Sequence, residues 1–127
     1  MTLSEALYSY ISANVGVAAL QSTRVYALFL PQKPTYPAST YRLISSVPWQ
    51  SRDDKDFQRA RVQIDCYAST YLAVEALANA MHGAMVAYTR SSAPRVVEVQ
   101  SANRSDIFDG DTEAHRISLD FFVWYEP

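Results

Sequence analysis

Arg59-Ala60-Arg61-Val62-Gln63-Ile64-Asp65-Cys66-Tyr67-Ala68-Ser69-Thr70-Tyr71 decides the fold, because a two-residue period gives way to a helical one inside it. Val62, Ile64, Cys66 and Ala68 share one side of a strand, and Arg61, Gln63, Asp65 and Tyr67 share the other. From Tyr71 onward the apolar spacing becomes three and four. Ser69 and Thr70 bring hydroxyls able to accept from the first free amides of a helix. The stretch therefore predicts a strand that turns into an Ala-rich helix with almost no loop between them, as in a compact α+β unit.

Downstream, the helix is predicted over residues 71–89, with Ala73, Ala76, Leu77, Ala80, Met81, Ala84 and Tyr88 on its buried stripe and Glu75, Asn79 and His82 facing outward. Beyond Pro94, residues 95–101 read as a strand and the acidic residues 106–113 as a turn. Residues 115–125 alternate. Ile117, Leu119, Phe121, Val123 and Tyr125 form one face, and Arg116, Ser118, Asp120, Phe122 and Trp124 form a second that is itself partly apolar. A strand apolar on both sides calls for cover on both sides, so Phe122 and Trp124 are candidates for a protein contact.

Upstream, Thr2 and Glu5 make a capping box, and Leu3, Leu7, Ile11 and Tyr10 mark one face of a helix ending near Asn14. A brief apolar segment, 17–20, precedes a predicted strand at 24–30, rich in β-branched and aromatic residues and stopped by Pro31. Pro31, Pro34 and Pro37 make residues 32–39 an exposed, semi-rigid loop that carries Tyr36. Residues 41–47 read as the next strand. Residues 48–56 form a polar loop that displays Trp49 beside Arg52, Asp53, Asp54, Lys55 and Asp56. The expected architecture is α+β: an antiparallel or mixed sheet of about four to five strands, covered on one face by the long helix and the N-terminal helix.

The length of 127 residues points to one domain, residues 1–127, and the 49% hydrophobic and 19% charged composition to a real core. With a net charge of −2 the chain lacks the broad basic surface of sequence-independent nucleic-acid binders. The opening residues show no basic region followed by an apolar run, and no stretch approaches the ~20 apolar residues of a membrane span. A soluble protein made in the cytoplasm, with no membrane partner, is the expectation. Cys66 is the single cysteine, which excludes an internal disulfide and, at an inward strand position, predicts a buried thiol.

Signals for chemistry are sparse. Only three glycines occur, Gly16, Gly83 and Gly110, and none belongs to a phosphate-cradling pattern. His82 and His115 show no metal spacing with Cys66, so no zinc site is expected. Asp106, Asp109, Asp111 and Glu113 cluster as hard-cation ligands do, but depart from the calcium-loop spacing, and read better as a solvated acidic turn. No nucleophile, base and orienting group can be assembled, and neither an enzyme nor a cofactor is expected. The nine tyrosines, among them Tyr36, Tyr41, Tyr67 and Tyr125, suggest as a set a protein interaction surface.

Several segments in fixed order carry a resemblance. Arg24-Val25-Tyr26, Leu30-Pro31-Gln32, Pro37-Ala38 with Tyr41, 61–68 and 116–125 resemble the tail-completion family of long-tailed bacteriophages and prophages, over nearly the whole chain. The resemblance implies a small α+β virion protein without catalytic residues, acting as a tail terminator. Such a protein forms a ring, in this family a hexamer, on the head-proximal end of the tail tube. It stops tube polymerisation and meets the head completion or connector protein. The implied partners are further copies of the chain, the tail tube protein and the connector protein, with genomic DNA passing through the channel without specific binding. On that reading Tyr36, Trp49, Arg52, Asp53, Asp54 and Lys55, with Phe122 and Trp124, are candidate interface residues. Asp106, Asp109, Asp111 and Glu113 are candidate channel-lining residues, whose carboxylates would repel phosphates. Alternatives are another head–tail connector component, a head completion protein, stopper or adaptor, or a small-molecule-binding regulatory domain with a pocket between subunits.

Overall fold

The computed structural model describes residues 1–48, 57–109 and 114–127. Helix α1, Leu3–Ala13, begins at Thr2, whose hydroxyl accepts from the Glu5 amide while Glu5 reaches back to the Thr2 amide; the capping box holds Glu5 below the usual carboxylate range through the Thr2 hydrogen bonds. Asn14 closes α1 and also opens α2, Val15–Gln21, by accepting from the Val17 amide at 3.1 Å. This second helix replaces the unassigned apolar segment of the sequence reading. Strand β1 is only Val25–Ala27, shorter than the predicted 24–30.

Strands β2, Ala38–Pro48, and β3, Gln58–Ala68, pair antiparallel and lead into helix α3, Tyr71–Val86. Thr70 caps α3 by accepting from the Ala73 amide at 3.2 Å, so the strand-to-helix junction is as short as Ser69 and Thr70 predict. The helix ends three residues before the predicted 89. Its end is fixed by tertiary contacts: Tyr10 Oη donates at 2.6 Å to the Ala84 carbonyl, one of those a helix leaves unpaired at its C-terminus. Tyr10 also stacks on Tyr88 at 4.0 Å, and Arg90 then exchanges two backbone hydrogen bonds with Val96. The buried stripe is Val74, Leu77, Ala78, Met81, Ala84 and Met85, continued by Tyr88. Ala76 is exposed and Ala73 and Ala80 only half-buried, a correction to the expected stripe: the helix is rolled so that its larger apolar side chains face the sheet.

Strand β4 runs Arg95–Asp109 and β5 Ala114–Glu126. The predicted acidic turn at 106–113 is thus corrected, because Asp106, Ile107, Phe108 and Asp109 belong to β4, in register with Ile117, Arg116, His115 and Ala114. Sheet order is β1-β2-β3-β5-β4, with β1 parallel to β2 and every other pair antiparallel. The fold is α+β, as expected; among the described residues it is a five-stranded mixed sheet with three helices, α2 being the one not foreseen.

All three helices pack on one face. Val62, Ile64 and Cys66 pair with Phe121, Leu119 and Ile117, and these residues join Leu7, Ile11, Val17, Leu77 and Met81 in one core cluster. Burial and the neighbouring Asp65 carboxylate raise the pKa of the Cys66 thiol well above the ordinary range, so the thiol is inert. Among the described residues no element covers the opposite sheet face. No described helix is long and apolar enough to cross a membrane.

Candidate interaction surfaces

The uncovered face is built from the other half of each alternation. Along its middle, Arg42 Nη2 donates to Gln63 Oε1 at 2.7 Å, and Gln63 Nε2 donates to Ser118 Oγ at 2.7 Å and to Asp65 Oδ1 at 3.1 Å. Arg61 Nη2 donates to Asp120 Oδ2 at 3.1 Å, where Asp120 is nearly buried and Arg61 largely exposed. Nearer the β2–β3 connection, the Arg59 guanidinium lies 4.5 Å over the Phe122 ring, and Phe122 meets Trp124 at 6.1 Å. The second face of β5 is thus half polar ladder and half aromatic cluster. The partly apolar reading of Arg116, Ser118, Asp120, Phe122 and Trp124 has a physical basis in that division.

At the far side of the sheet α3 and β4 share a charged network. Arg104 donates to Asp106 Oδ1 at 3.1 Å and to Asn79 Oδ1 at 3.4 Å, and approaches Glu75 at 4.0 Å; Tyr71 Oη donates to Asp106 Oδ2 at 2.7 Å. The hydrogen bonds from Arg104 and then Tyr71 hold the Asp106 carboxyl below its ordinary range. The same Asp106 contacts raise the pKa of the Tyr71 phenol and that of Arg104. Beside this network Tyr71, Asp106, Ile107, Phe108, His115 and Arg116 line an open hollow of about 200 Å³. His115 meets Phe108 at 4.9 Å and Tyr71 edge-on at 6.0 Å. No group of three or more metal-ligating side chains converges among the described residues.

The structure separates the sequence-predicted sites. Phe122 and Trp124 sit together, half-buried, on the uncovered face; Tyr36 is half-buried in the loop between β1 and β2. Asp106 is exposed on β4 and ion-paired, and Asp109 is the last residue of that strand. Trp49, Arg52, Asp53, Asp54, Lys55 and Asp56, with Asp111 and Glu113, lie outside the described residues. Tyr41, Tyr88 and Tyr125 are core residues, so several tyrosines are accounted for by packing. Phe29 falls within the strand expected at 24–30, and nothing in the sequence marks it as a surface residue. The ring lies beyond β1, 80% exposed.

Among the described residues the helices cover one face of the sheet and leave the other uncovered, and β1 and β4 form its two edges. The family model of tail completion protein gp17 matches residues 5–126. The chain belongs to the family of tail completion protein gp17, and is a structural protein of the virion tail. Among solved structures, a chain of the virion of a native gene transfer agent particle has the same fold, with a TM-score of 0.76 at 22% identity over 98% of this chain and 95% of that one. Comparison with curated proteins gives no match.

Proposed function

We propose that the protein is a tail terminator: copies close into a ring, a hexamer, on the head-proximal end of the tail tube, block further tube growth and join the tail to the head connector. Membership of the tail completion family supports the location, and a single structural observation carries the assembly. The two outermost strands differ in kind, β1 with three residues and β4 with fifteen, so the edges of one subunit are not interchangeable. A head-to-tail contact between unlike patches is what closes a cyclic ring, whereas like patches stop at a dimer. Beyond the Arg90 bridge at Val96, the outer edge of β4 has no strand partner among the described residues and is the kind of edge that a neighbouring chain can satisfy.

The candidate interface residues divide on this reading. Phe122 and Trp124, with Tyr36, Trp49, Arg52, Asp53, Asp54 and Lys55, would meet the tube or the connector. Asp106, Asp109, Asp111 and Glu113 would line the channel, and carboxylates there let DNA slide because they offer phosphates no counter-charge. Electron microscopy of particles assembled without this chain tests the proposal. Filled heads beside detached tails, some overlong, are expected. Normal joined particles would overturn it, and detached tails of uniform normal length would instead indicate a connector component.

A further inference from the structure

Strand β4 is held along one side by β5, and its outer side is met only at Val96, by Arg90. From 97 to 109 the outward amides and carbonyls have no strand partner among the described residues. An open edge of that length is a template for another extended chain. The opposite edge of the sheet does not supply that chain. β1 is only Val25–Ala27, with the Val25 amide donating to the Thr23 carbonyl and the Ala27 carbonyl accepting from the Phe29 amide, and Pro31, Pro34 and Pro37 follow it.

The charges on β4 select a partner. Arg104 and Asp106 are in register with Leu119 and Ile117, so both stand on the helix side of the sheet, exposed at its edge, where Arg104 Nε donates to Asp106 Oδ1 at 3.1 Å. No other charged residue lies between 99 and 108. Directly opposed residues of an antiparallel pair point to the same face, so a two-fold axis normal to the sheet must pass beside a residue that faces its own copy. An axis at Arg104 sets two guanidiniums opposite each other, and one at Asp106 two carboxylates, both destabilising. An axis at Ser105 sets Arg104 of each copy opposite Asp106 of the other. The four charges then alternate in sign around a square, each beside its opposite both along the strand and across it.

We propose that two free copies of this chain pair edge to edge through β4, antiparallel and centred on Ser105, with the helices of both on one face of a continuous sheet. The pair is a form of the free chain and stands independently of the ring reading: like patches close on themselves at two copies, so this contact is not the joint of a ring. It covers the edge, together with Ile107 and Phe108, 39% and 58% exposed, until another chain takes it. Residues 101–109 are far fewer than the about 20–30 a side of a standard interface, so the pair is weak and dilution separates it into single subunits.

The test uses the purified full chain. Sedimentation equilibrium at rising concentration is expected to show a single subunit passing to a dimer and nothing larger. Ser105→Cys should give a disulfide-linked dimer on oxidation with diamide, because a residue facing its own copy brings the two Cβ atoms within about 4.5–5.5 Å, close to disulfide geometry. Asn103→Cys should not, since its counterpart lies about four residues, roughly 13 Å, along the strand. Arg104→Asp and Asp106→Arg should each weaken the dimer about tenfold or more, and an equal mixture of the two variants should restore it, because opposite signs again face each other. Both positions are exposed, so melting temperatures close to the parent's will show that the variants are folded. A parent that stays single at every concentration, growth past two copies, Asn103→Cys linking as readily as Ser105→Cys, or a mixture no stronger than its components would overturn the pair. None of these experiments reads particle assembly, so the pair and the terminator reading fail separately.

Discussion

At the scale of single residues, Gln21 and Asp106 show what burial does to polar groups. Gln21 is fully buried at the end of α2, and among the described residues neither atom of its amide has a hydrogen-bond partner. An unpaired buried amide is destabilising, and a methionine fills similar volume without that demand. Gln21→Met should therefore raise stability by about 1 kcal/mol in urea unfolding; a loss of that size would show that the amide is satisfied by bound water. Asp106 is the opposite case, an exposed carboxylate whose partners favour its charge. Its lowered pKa means that the stabilisation is present above the ordinary carboxylate range and is lost as pH falls through the folded value. Comparing the melting temperature of the parent and Arg104→Gln between neutral and strongly acid pH should show the variant lower at neutral pH, the gap closing in acid. Solvent screening of so exposed a pair keeps the effect below about 1 kcal/mol, and a gap constant with pH would mean that Arg104 acts through packing alone.

At the scale of elements, legibility followed how one-sided each element is. The β3–α3 junction was readable because Val62, Ile64, Cys66 and Ala68 face a core while Arg61, Gln63, Asp65 and Tyr67 do not, and because a capping hydroxyl marks the change. Thr70→Ala should cost about 0.5–2 kcal/mol, the range for losing an N-cap, and Thr70→Ser far less; equal losses from both would assign the role to the methyl group instead of the hydroxyl. The far half of β4 was hidden for the reciprocal reason. Ser101, Asn103, Arg104, Ser105 and Asp106 are exposed, so no alternation records the strand, and the register shifts between Val96 and Glu98 and between Ser101 and Asn103 break what period there is. Helix α2 escaped because seven residues, Val15–Gln21, are two turns at most, too few to display a helical period, and they include Gly16. The exposure of Phe29 had no sequence signal apart from an apolar run ending at Pro31, since it depends on the left-handed backbone at Leu28.

At the scale of the molecule, the sheet is protected unequally, and that inequality sets where assembly can act. Strands β3 and β5 are paired on both sides and lie over the helices, whereas β4 pairs along its length with β5 and on its outer side, among the described residues, only through the Arg90 bridge to Val96. Hydrogen exchange follows such differences, because amides released only by global unfolding exchange slowest and those at an open edge exchange at low cost. In the isolated subunit the amides of Val62, Ile64, Leu119 and Phe121 should therefore exchange slowest, and alternate amides between Val97 and Phe108 should exchange far faster. If the β4 edge is the surface that a neighbouring copy covers, those fast amides must slow when the chain enters the particle, while the core amides, already limited by global opening, change much less. Protection appearing instead around Phe122 and Trp124, with β4 still fast, would place the contact between copies on the uncovered face. In that case the charged network of Arg104, Asp106 and Tyr71 would serve to keep an exposed edge from pairing with the wrong chain, as inward-reaching charges do on other edge strands.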